Sequence, residues 1–96
     1  MKDIERFFGN SVLHDYEIGR MEINYSEGTV FFQFINSKQE KKDYIVKQFI
    51  SINFTRNEEW GKGKYVVSSE VSCNNGIWII EIQLNSGDIC SVKCYK

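Results

Sequence analysis

The 96-residue sequence contains no alanine and no proline, and only two leucines and two methionines. Strand-favouring residues are abundant instead: twelve isoleucines, seven valines, two threonines and fourteen aromatic residues make up 35 of the 96 positions. Because Ala, Leu and Met favour helices whereas β-branched and aromatic side chains suit a pleated surface, the composition excludes a helical bundle. A chain of this length usually forms one domain. We therefore expect a single, mainly β domain over residues 1–96.

The sequence leads us to expect neither a membrane-spanning helix nor a secretory signal. It contains no run of about 18 apolar residues, as a membrane-spanning helix would require. The charged segment from Met1 to Arg6 leads into no apolar stretch of the kind found in signal peptides. We expect a cytoplasmic protein without a membrane partner.

The balance of charges argues against a nucleic-acid partner. Twelve Lys and Arg residues stand against thirteen Asp and Glu residues, which gives a formal net charge of −1. Lysines lie near aromatic residues around Tyr44 and Trp60, but acidic residues are interleaved with them. Because binding to a phosphate backbone needs several uncompensated cations, we expect no nucleic acid to bind.

The three cysteines show no metal or disulfide signature. Cys90 and Cys94 lie in one predicted strand, about 13 Å apart at ~3.3 Å per residue, beyond the ~7 Å limit for a disulfide. Cys73 could pair with either of them across strands, although free thiols in a reducing cytoplasm fit the pattern better. The sequence has no CxxC, HxxxH or HxH spacing, so we expect neither a metal nor another cofactor.

Turn signals divide the chain into a short N-terminal helix and six strands. A helix is predicted over residues 3–8 because Asp3 can cap it and Gly9 can end it. Asn75 and Gly76 form a strong hairpin signal, since both residue types tolerate positive φ. The predicted strands are residues 16–25, 29–36, 43–54, 65–73, 76–84 and 89–95. Their short connections predict a six-stranded antiparallel meander, curled into a barrel or a sandwich.

Alternation of residue types along the strands indicates which face is buried. In the fifth predicted strand the core face consists of Trp78, Ile80, Ile82 and Leu84. The third predicted strand has an inner row of Tyr44, Val46, Ile50, Ile52 and Phe54, interrupted by Gln48. The opposite faces also carry large apolar residues, namely Phe31, Ile35, Ile45, Phe49, Ile77 and Ile79. The helix or a partner, including a second copy of the chain, could cover these outer faces.

His14 is the only histidine, and it precedes Asp15. A catalytic dyad requires the two side chains to converge, whereas neighbouring residues in a strand point to opposite faces. In a turn they could still meet. We expect His14 to be structural, with His14 or Asp15 anchoring the turn into the first strand through side-chain-to-backbone hydrogen bonds, and we expect no catalytic residue.

Acidic residues near an aromatic residue form the candidate partner-binding surface. Carboxylates around an exposed aromatic side chain suit an interface with a basic protein. Trp60 lies between acidic residues and glycines, so we expect it at the periphery, in contrast to Trp78 in the core. The predicted partner-binding residues are Asp15, Glu17, Glu22, Glu58, Glu59 and Trp60.

Three short motifs occur in order along the chain: Leu13–His14–Asp15, Trp60–Gly61 and Ser86–Gly87–Asp88. With this order the sequence resembles a group of small bacterial β-rich proteins, some of which are immunity proteins of polymorphic or contact-dependent toxin systems. The resemblance implies a cytoplasmic, non-enzymatic protein that binds and neutralises a cognate toxin, often a nuclease. No functional residue of those proteins can be assigned to a position of this sequence.

The leading hypothesis is therefore an immunity-type protein that occludes a basic toxin domain through carboxylates and aromatic anchors. The alternative is a structural or regulatory β domain that associates with a second copy of itself. A small hydrolase that uses His14 is a third and weaker hypothesis.

Overall fold

The computed structural model describes residues 3–96 and places one short helix ahead of seven strands. The helix α1 (Asp3–Phe8) continues into a 3-10 turn (Gly9–Ser11). The strands are β1 (Glu17–Asn24), β2 (Thr29–Ile35), β3 (Lys41–Val46), β4 (Phe49–Phe54), β5 (Val66–Asn74), β6 (Ile77–Leu84) and β7 (Ile89–Tyr95). Met1 and Lys2 lie outside the described residues. They belong to the charged N-terminal segment on which the expectation of no secretory signal rests. No helix within residues 3–96 is long and apolar enough to cross a membrane.

The strands form two antiparallel sheets. The first has the order β1-β2-β3 and the second the order β4-β7-β6-β5. The mainly β prediction is confirmed, and five of the six predicted strands match β1, β2, β5, β6 and β7 to within one residue at each end. The six-stranded meander and the closed barrel are wrong, because β7 inserts between β4 and β6 and the strands divide between two sheets.

The predicted third strand is divided between the two sheets. β3 ends at Val46 in the first sheet, and β4 begins at Phe49 in the second. Between them, Gln48 has a φ of 54°, which ends the extended conformation. The predicted inner row is consequently wrong at two positions, since Ile50 and Phe54 are each 40% exposed.

Both sheets and α1 contribute to one hydrophobic core. Phe8 is fully buried, and its ring lies 5.6 Å from that of Phe32 and 5.3 Å from that of Tyr44. The helix thus packs on the buried face of β2. Of the apolar residues predicted on the outer faces, Ile45 is 52% exposed, and the other five are half-buried. Trp78 is 8% exposed, which confirms its predicted core position. The other buried residues of β6 are Ile80, Ile82 and Leu84.

The cysteines are all free thiols, with Cys73 exposed and Cys90 and Cys94 buried. Cys73 and Cys94 both lie opposite Trp78, on the two strands that flank β6. They are therefore two strand spacings apart, about 9.6 Å, which is too far for a disulfide. Burial raises the pKa of the Cys90 thiol to about 12, so this thiol stays protonated.

Candidate functional site

The turn between β6 and β7, residues 85–88, holds the long connection between β4 and β5, residues 55–65. Its main anchor is the carboxylate of Asp88, whose residue is only 3% exposed. The carboxylate accepts hydrogen bonds from Thr55 Oγ1 at 2.8 Å, from the Asn57 N–H at 2.7 Å and from the Glu58 N–H at 2.9 Å. The start of the connection is therefore fixed by three bonds to one side chain.

The Asp88 carboxylate is stabilised in its ionised form. The Ser86 hydroxyl donates to Asp88 Oδ2 at 2.7 Å, and Ser86 itself is fully buried. This bond, together with those from Asn57, Thr55 and Glu58, holds the pKa of the Asp88 carboxyl well below its ordinary value of 3.8, although burial acts in the opposite direction. Asp88 is an anchoring anion rather than a proton donor.

Asn85 fixes the other end of the connection. Its Oδ1 accepts hydrogen bonds from the N–H groups of Lys64 at 2.7 Å and Tyr65 at 3.0 Å. Its Nδ2 donates to the carbonyl of Lys62 at 3.0 Å. One four-residue turn thus holds both ends of an irregular segment. We call residues 55–65, held in this way, the clamped loop.

Trp60 lies at the middle of the clamped loop. Its backbone N–H donates to the carbonyl of Ser86 at 3.1 Å. Its ring lies on Gly87, where a methyl group would come within 3.0 Å of the Trp60 Cε3 atom. The residue is nevertheless 69% exposed, as its predicted peripheral position requires. The indole is therefore positioned by the turn while most of its surface faces solvent.

A groove of about 450 Å³ opens beside the clamped loop. Its apolar lining comes from Ile18 on β1, Phe54 on β4 and Leu84 on β6. Glu58 also lines the groove, and its Oε2 accepts a hydrogen bond from the Gly63 N–H at 3.2 Å. The remaining lining residues are Thr55, Arg56, Gly63 and Asp88. The groove is thus lined by apolar side chains together with two carboxylates and one guanidinium.

The structure brings together only some of the predicted partner-binding residues. Glu58, Glu59 and Trp60 share the clamped loop. Asp15 and Glu17 lie close to the end of this loop, because the Asp15 N–H donates to the carbonyl of Val66 at 2.9 Å.

Glu22 lies further along β1 than Glu17. The two residues pair with Phe31 and Ile35 on β2, four positions apart, so they lie on the same face of the sheet, about 13 Å apart at ~3.3 Å per residue. The Glu22 carboxylate pairs with Arg20 on the same strand. Its place in the partner-binding surface stays a prediction.

The clamped loop is not purely acidic. It carries Glu58 and Glu59, but also the cations Arg56, Lys62 and Lys64. Arg56 Nη2 lies 3.4 Å from Glu58 Oε1. The loop thus has two carboxylates against three cations, and its exposed indole rather than its charge distinguishes this surface.

His14 and Asp15 form an exposed pair. His14 Nδ1 lies 3.3 Å from Asp15 Oδ2, and the side chains are 58% and 77% exposed. The turn that holds them is fixed by backbone bonds, with the His14 N–H donating to the carbonyl of Ser11 at 3.0 Å. Within residues 3–96 no group of three or more His, Cys, Asp or Glu side chains is arranged to hold a metal ion.

Sequence reasoning missed the role of Asn85 and Asp88. The sequence predicts only a turn for the segment that contains them. Ser86–Gly87–Asp88 stands out only as one of the three motifs on which the resemblance depends. In the structure this motif contacts Trp60, and Asp15 of the first motif bonds to Val66 directly after the clamped loop. No family model, no curated protein and no solved structure matches the chain. The resemblance to immunity proteins therefore stays a prediction.

Proposed function

We propose that this chain is a non-enzymatic, cytoplasmic binding protein of the immunity type. It covers the cationic surface of a basic toxin domain, of the nuclease class, and so prevents the toxin from reaching its substrate. The observation that carries this proposal is the position of Trp60. It is 69% exposed, yet its loop is held at both ends by hydrogen bonds to one turn.

A fixed, exposed tryptophan suits an interface anchor for two reasons. Tryptophan is enriched among the residues that dominate binding energy at interfaces. A residue whose loop is already ordered also loses less conformational freedom when it binds. Glu59, which is exposed beside Trp60, adds a carboxylate that attracts a basic surface and raises the association rate.

The non-enzymatic part of the proposal rests on the surroundings of His14. A general base works best when its partner is oriented and shielded from water, as the buried aspartate of a hydrolytic triad is. The Asp15 side chain beside His14 is 77% exposed. We expect no hydrolysis of RNA, DNA or simple esters by the purified protein. A hydrolytic activity lost in a folded His14→Ala variant would contradict this expectation.

The partner can be identified by photo-crosslinking in the native cell. A benzophenone amino acid replaces Trp60 in one variant and Tyr25, which is 86% exposed, in a matched control. A protein captured only from position 60 is identified by mass spectrometry and purified. Its affinity is then measured for the unmodified chain and for the Trp60→Ala, Glu59→Lys and Tyr25→Ala variants.

We expect Trp60→Ala to weaken binding about 30-fold, which corresponds to ~2 kcal/mol for a dominant interface residue. Glu59→Lys should slow association most strongly at low salt. Tyr25→Ala should leave both quantities unchanged. A captured domain that is not toxic, or whose toxicity is unaffected by this protein, would refute the immunity function. Affinity that is insensitive to Trp60 would refute the proposed surface.

Self-association is the second candidate function, and the free strand edges favour it. Among the described strands, β4 pairs only with β7 and carries no charged residue. An uncharged edge strand readily pairs with another strand. Sedimentation velocity over a range of concentrations would detect a dimer. Asn53→Lys, at an exposed position on β4, should then disperse it.

A further inference from the structure

Each of the two sheets has two edge strands, and three of these four edges are protected against pairing with another strand. β1 and β3 both carry charged side chains, which oppose such pairing. The edge of β5 is covered at its start, where the Val66 N–H donates to the carbonyl of Tyr16 at 2.8 Å and the Asp15 N–H donates to the carbonyl of Val66 at 2.9 Å. β4 carries no charged residue, so it is the edge most open to a further strand.

The first residues of β4 are closed to a further strand. The Phe49 N–H donates to the carbonyl of Gly28, in the turn between β1 and β2, at 3.0 Å. The pairing of β4 with β7 also shifts its register between Phe49 and Ser51, as at a β-bulge, and a bulge turns an edge away from a new strand. Only the second half of β4, from Ser51 to Phe54, is left for pairing.

The backbone groups of Ile52 and Phe54 point to the free edge. Directly after β4, the Thr55 N–H donates to the carbonyl of Ile89 at 3.3 Å. Successive residues of an antiparallel strand direct their N–H and C=O groups to opposite sides. Those of Asn53 therefore point to β7, like the Thr55 N–H, whereas those of Ile52 and Phe54 point away from β7. Within residues 3–96 neither of these two residues makes a backbone hydrogen bond outside the strand pairs.

We infer that the second half of β4 pairs antiparallel with the same segment of a second copy of the chain, in a register centred on Asn53. This inference rests on self-association, the second candidate function, because it names the edge and the register through which two copies meet. It does not depend on the immunity function.

The directions of the backbone groups select this register. Centred on Asn53, it places Ile52 opposite Phe54 of the second copy and Phe54 opposite Ile52. Each of these pairs exchanges N–H and C=O groups, which gives about four hydrogen bonds between the copies. A register centred on Ile52 would place Phe54 opposite Ile50, which lies at the bulge, so it would lose one of the two kinds of pair.

The side chains of this segment suit a second copy as the occupant. Ile52 and Phe54 lie opposite the buried Val92 and Cys90 of β7, so they share the apolar face of the sheet, and in the dimer they meet each other. Asn53 is exposed on the opposite face and meets Asn53 of the second copy. The segment is thus complementary to itself. It offers no charge that would favour a basic or an acidic partner instead.

Substitution of Asn53 tests the position of the two-fold axis. Asn53→Lys places two ammonium groups directly opposite each other, which should weaken dimerisation about fivefold. Ser72→Lys, at an exposed position on β5, adds the same charge away from the β4 edge and should leave dimerisation unchanged. A segment this short covers less than the ~1,600 Å² of a standard interface, so sedimentation velocity is measured up to about 1 mM protein.

Cysteine crosslinking tests the register. In a pair without mutual hydrogen bonds the Cα atoms lie about 4.5 Å apart, within the range of a disulfide. Asn53→Cys should therefore form a covalent dimer on oxidation. Ser51→Cys should not, because in this register the two copies of residue 51 lie about 13 Å apart at ~3.3 Å per residue. Both variants also carry Cys73→Ser, which removes the exposed thiol, and their urea midpoints verify folding.

Each contrary result removes a different part of the reasoning. A monomer up to 1 mM would refute both this inference and self-association. A dimer that tolerates Asn53→Lys, or one that crosslinks equally from positions 51 and 53, would refute this edge or this register and leave self-association standing. Protection of the Ile52 and Phe54 N–H groups from hydrogen exchange only with the crosslinked partner would assign the edge to that partner and overturn the inference. The immunity function is tested separately, by the toxicity of that partner.

Discussion

Replacing Gly87 with alanine tests whether the turn positions Trp60. Gly87 has a φ of +90°, and a Cβ there would lie 3.0 Å from Trp60 Cε3. Gly76 provides a matched control, because its φ is +77° and a Cβ there would have nothing within 4 Å. Both variants force an L-residue into the left-handed region, but only Gly87→Ala also pushes against the indole.

The backbone strain should lower the free energy of unfolding by about 1–2 kcal/mol in each variant. The second contribution comes from the indole. Trp60 is 69% exposed, so roughly 80 Å² of its surface is covered, worth at most about 2 kcal/mol at ~25 cal/mol per Å². Gly87→Ala should therefore cost about 1–4 kcal/mol, and more than Gly76→Ala. Both variants should still fold, since a domain of this size has roughly 5–14 kcal/mol of stability.

Urea unfolding gives the two free energies, and the indole N–H resonances report on the ring. Trp60→Phe assigns the two indole signals. We expect the Trp60 signal to move in Gly87→Ala and to keep its position in Gly76→Ala. Equal losses of stability together with an unmoved Trp60 signal in both variants would show that the ring does not rest on Gly87.

Three further predictions concern the hydrophobic core, the Asp88 carboxylate that holds the clamped loop, and the cysteine thiols. Trp78→Ala should lower the free energy of unfolding by ~3–5 kcal/mol, against ~0.5 kcal/mol or less for the exposed Tyr25→Ala, measured by urea titration. The pKa of Asp88 is depressed in the folded state. The ionised carboxylate therefore contributes fully to the free energy of unfolding above the ordinary pKa of 3.8, and this contribution is lost as the pH falls below that value. The difference in urea midpoint between pH 5 and pH 2 should therefore be smaller in Asp88→Asn than in the unmodified protein. An unchanged difference would contradict the role of the Asp88 carboxylate in holding the clamped loop. A thiol reagent at pH 8 should modify only the exposed Cys73 in the native protein, because Cys90 has a pKa of about 12 and Cys94 is buried. More than one rapidly reacting thiol would contradict this.

The elements that follow from local signals were predictable from the sequence. The hairpin between β5 and β6 turns at Asn75 and Gly76, whose φ values of 52° and 77° are those that the residue types allow. Strict alternation in β6 identified the buried face that carries Trp78. In both cases neighbouring residues contain the information that decides the structure.

The break between β3 and β4 was not predictable in this way. Glutamine is not a turn residue, yet Gln48 adopts a φ of 54°. Backbone bonds to distant segments hold it there: the Tyr95 N–H donates to the carbonyl of Gln48 at 3.1 Å, and the Phe49 N–H to that of Gly28 at 3.0 Å. Tertiary contacts therefore override the apparent continuity of the predicted strand.

Only the exposed residues of the candidate site were predictable from the sequence. Glu58, Glu59 and Trp60 stand out because charged and aromatic residues lie next to glycines. The residues that order them do not stand out, since Asp88 is 31 positions from Asn57 and Asn85 is 21 positions from Lys64. Hydrogen bonds over such separations have no signature in a single sequence.

The Ser86–Gly87–Asp88 motif has a structural role that is independent of any resemblance to immunity proteins. Ser86, Gly87 and Asp88 are fully engaged in holding the loop, and Gly87 supports the indole of Trp60. They hold the loop whatever the chain binds, so this motif carries no information about a partner. In the proposed function the identity of the partner depends instead on the exposed side chains of the clamped loop, with Arg56 and Glu59, in the same loop as Trp60, the first to vary in an experiment.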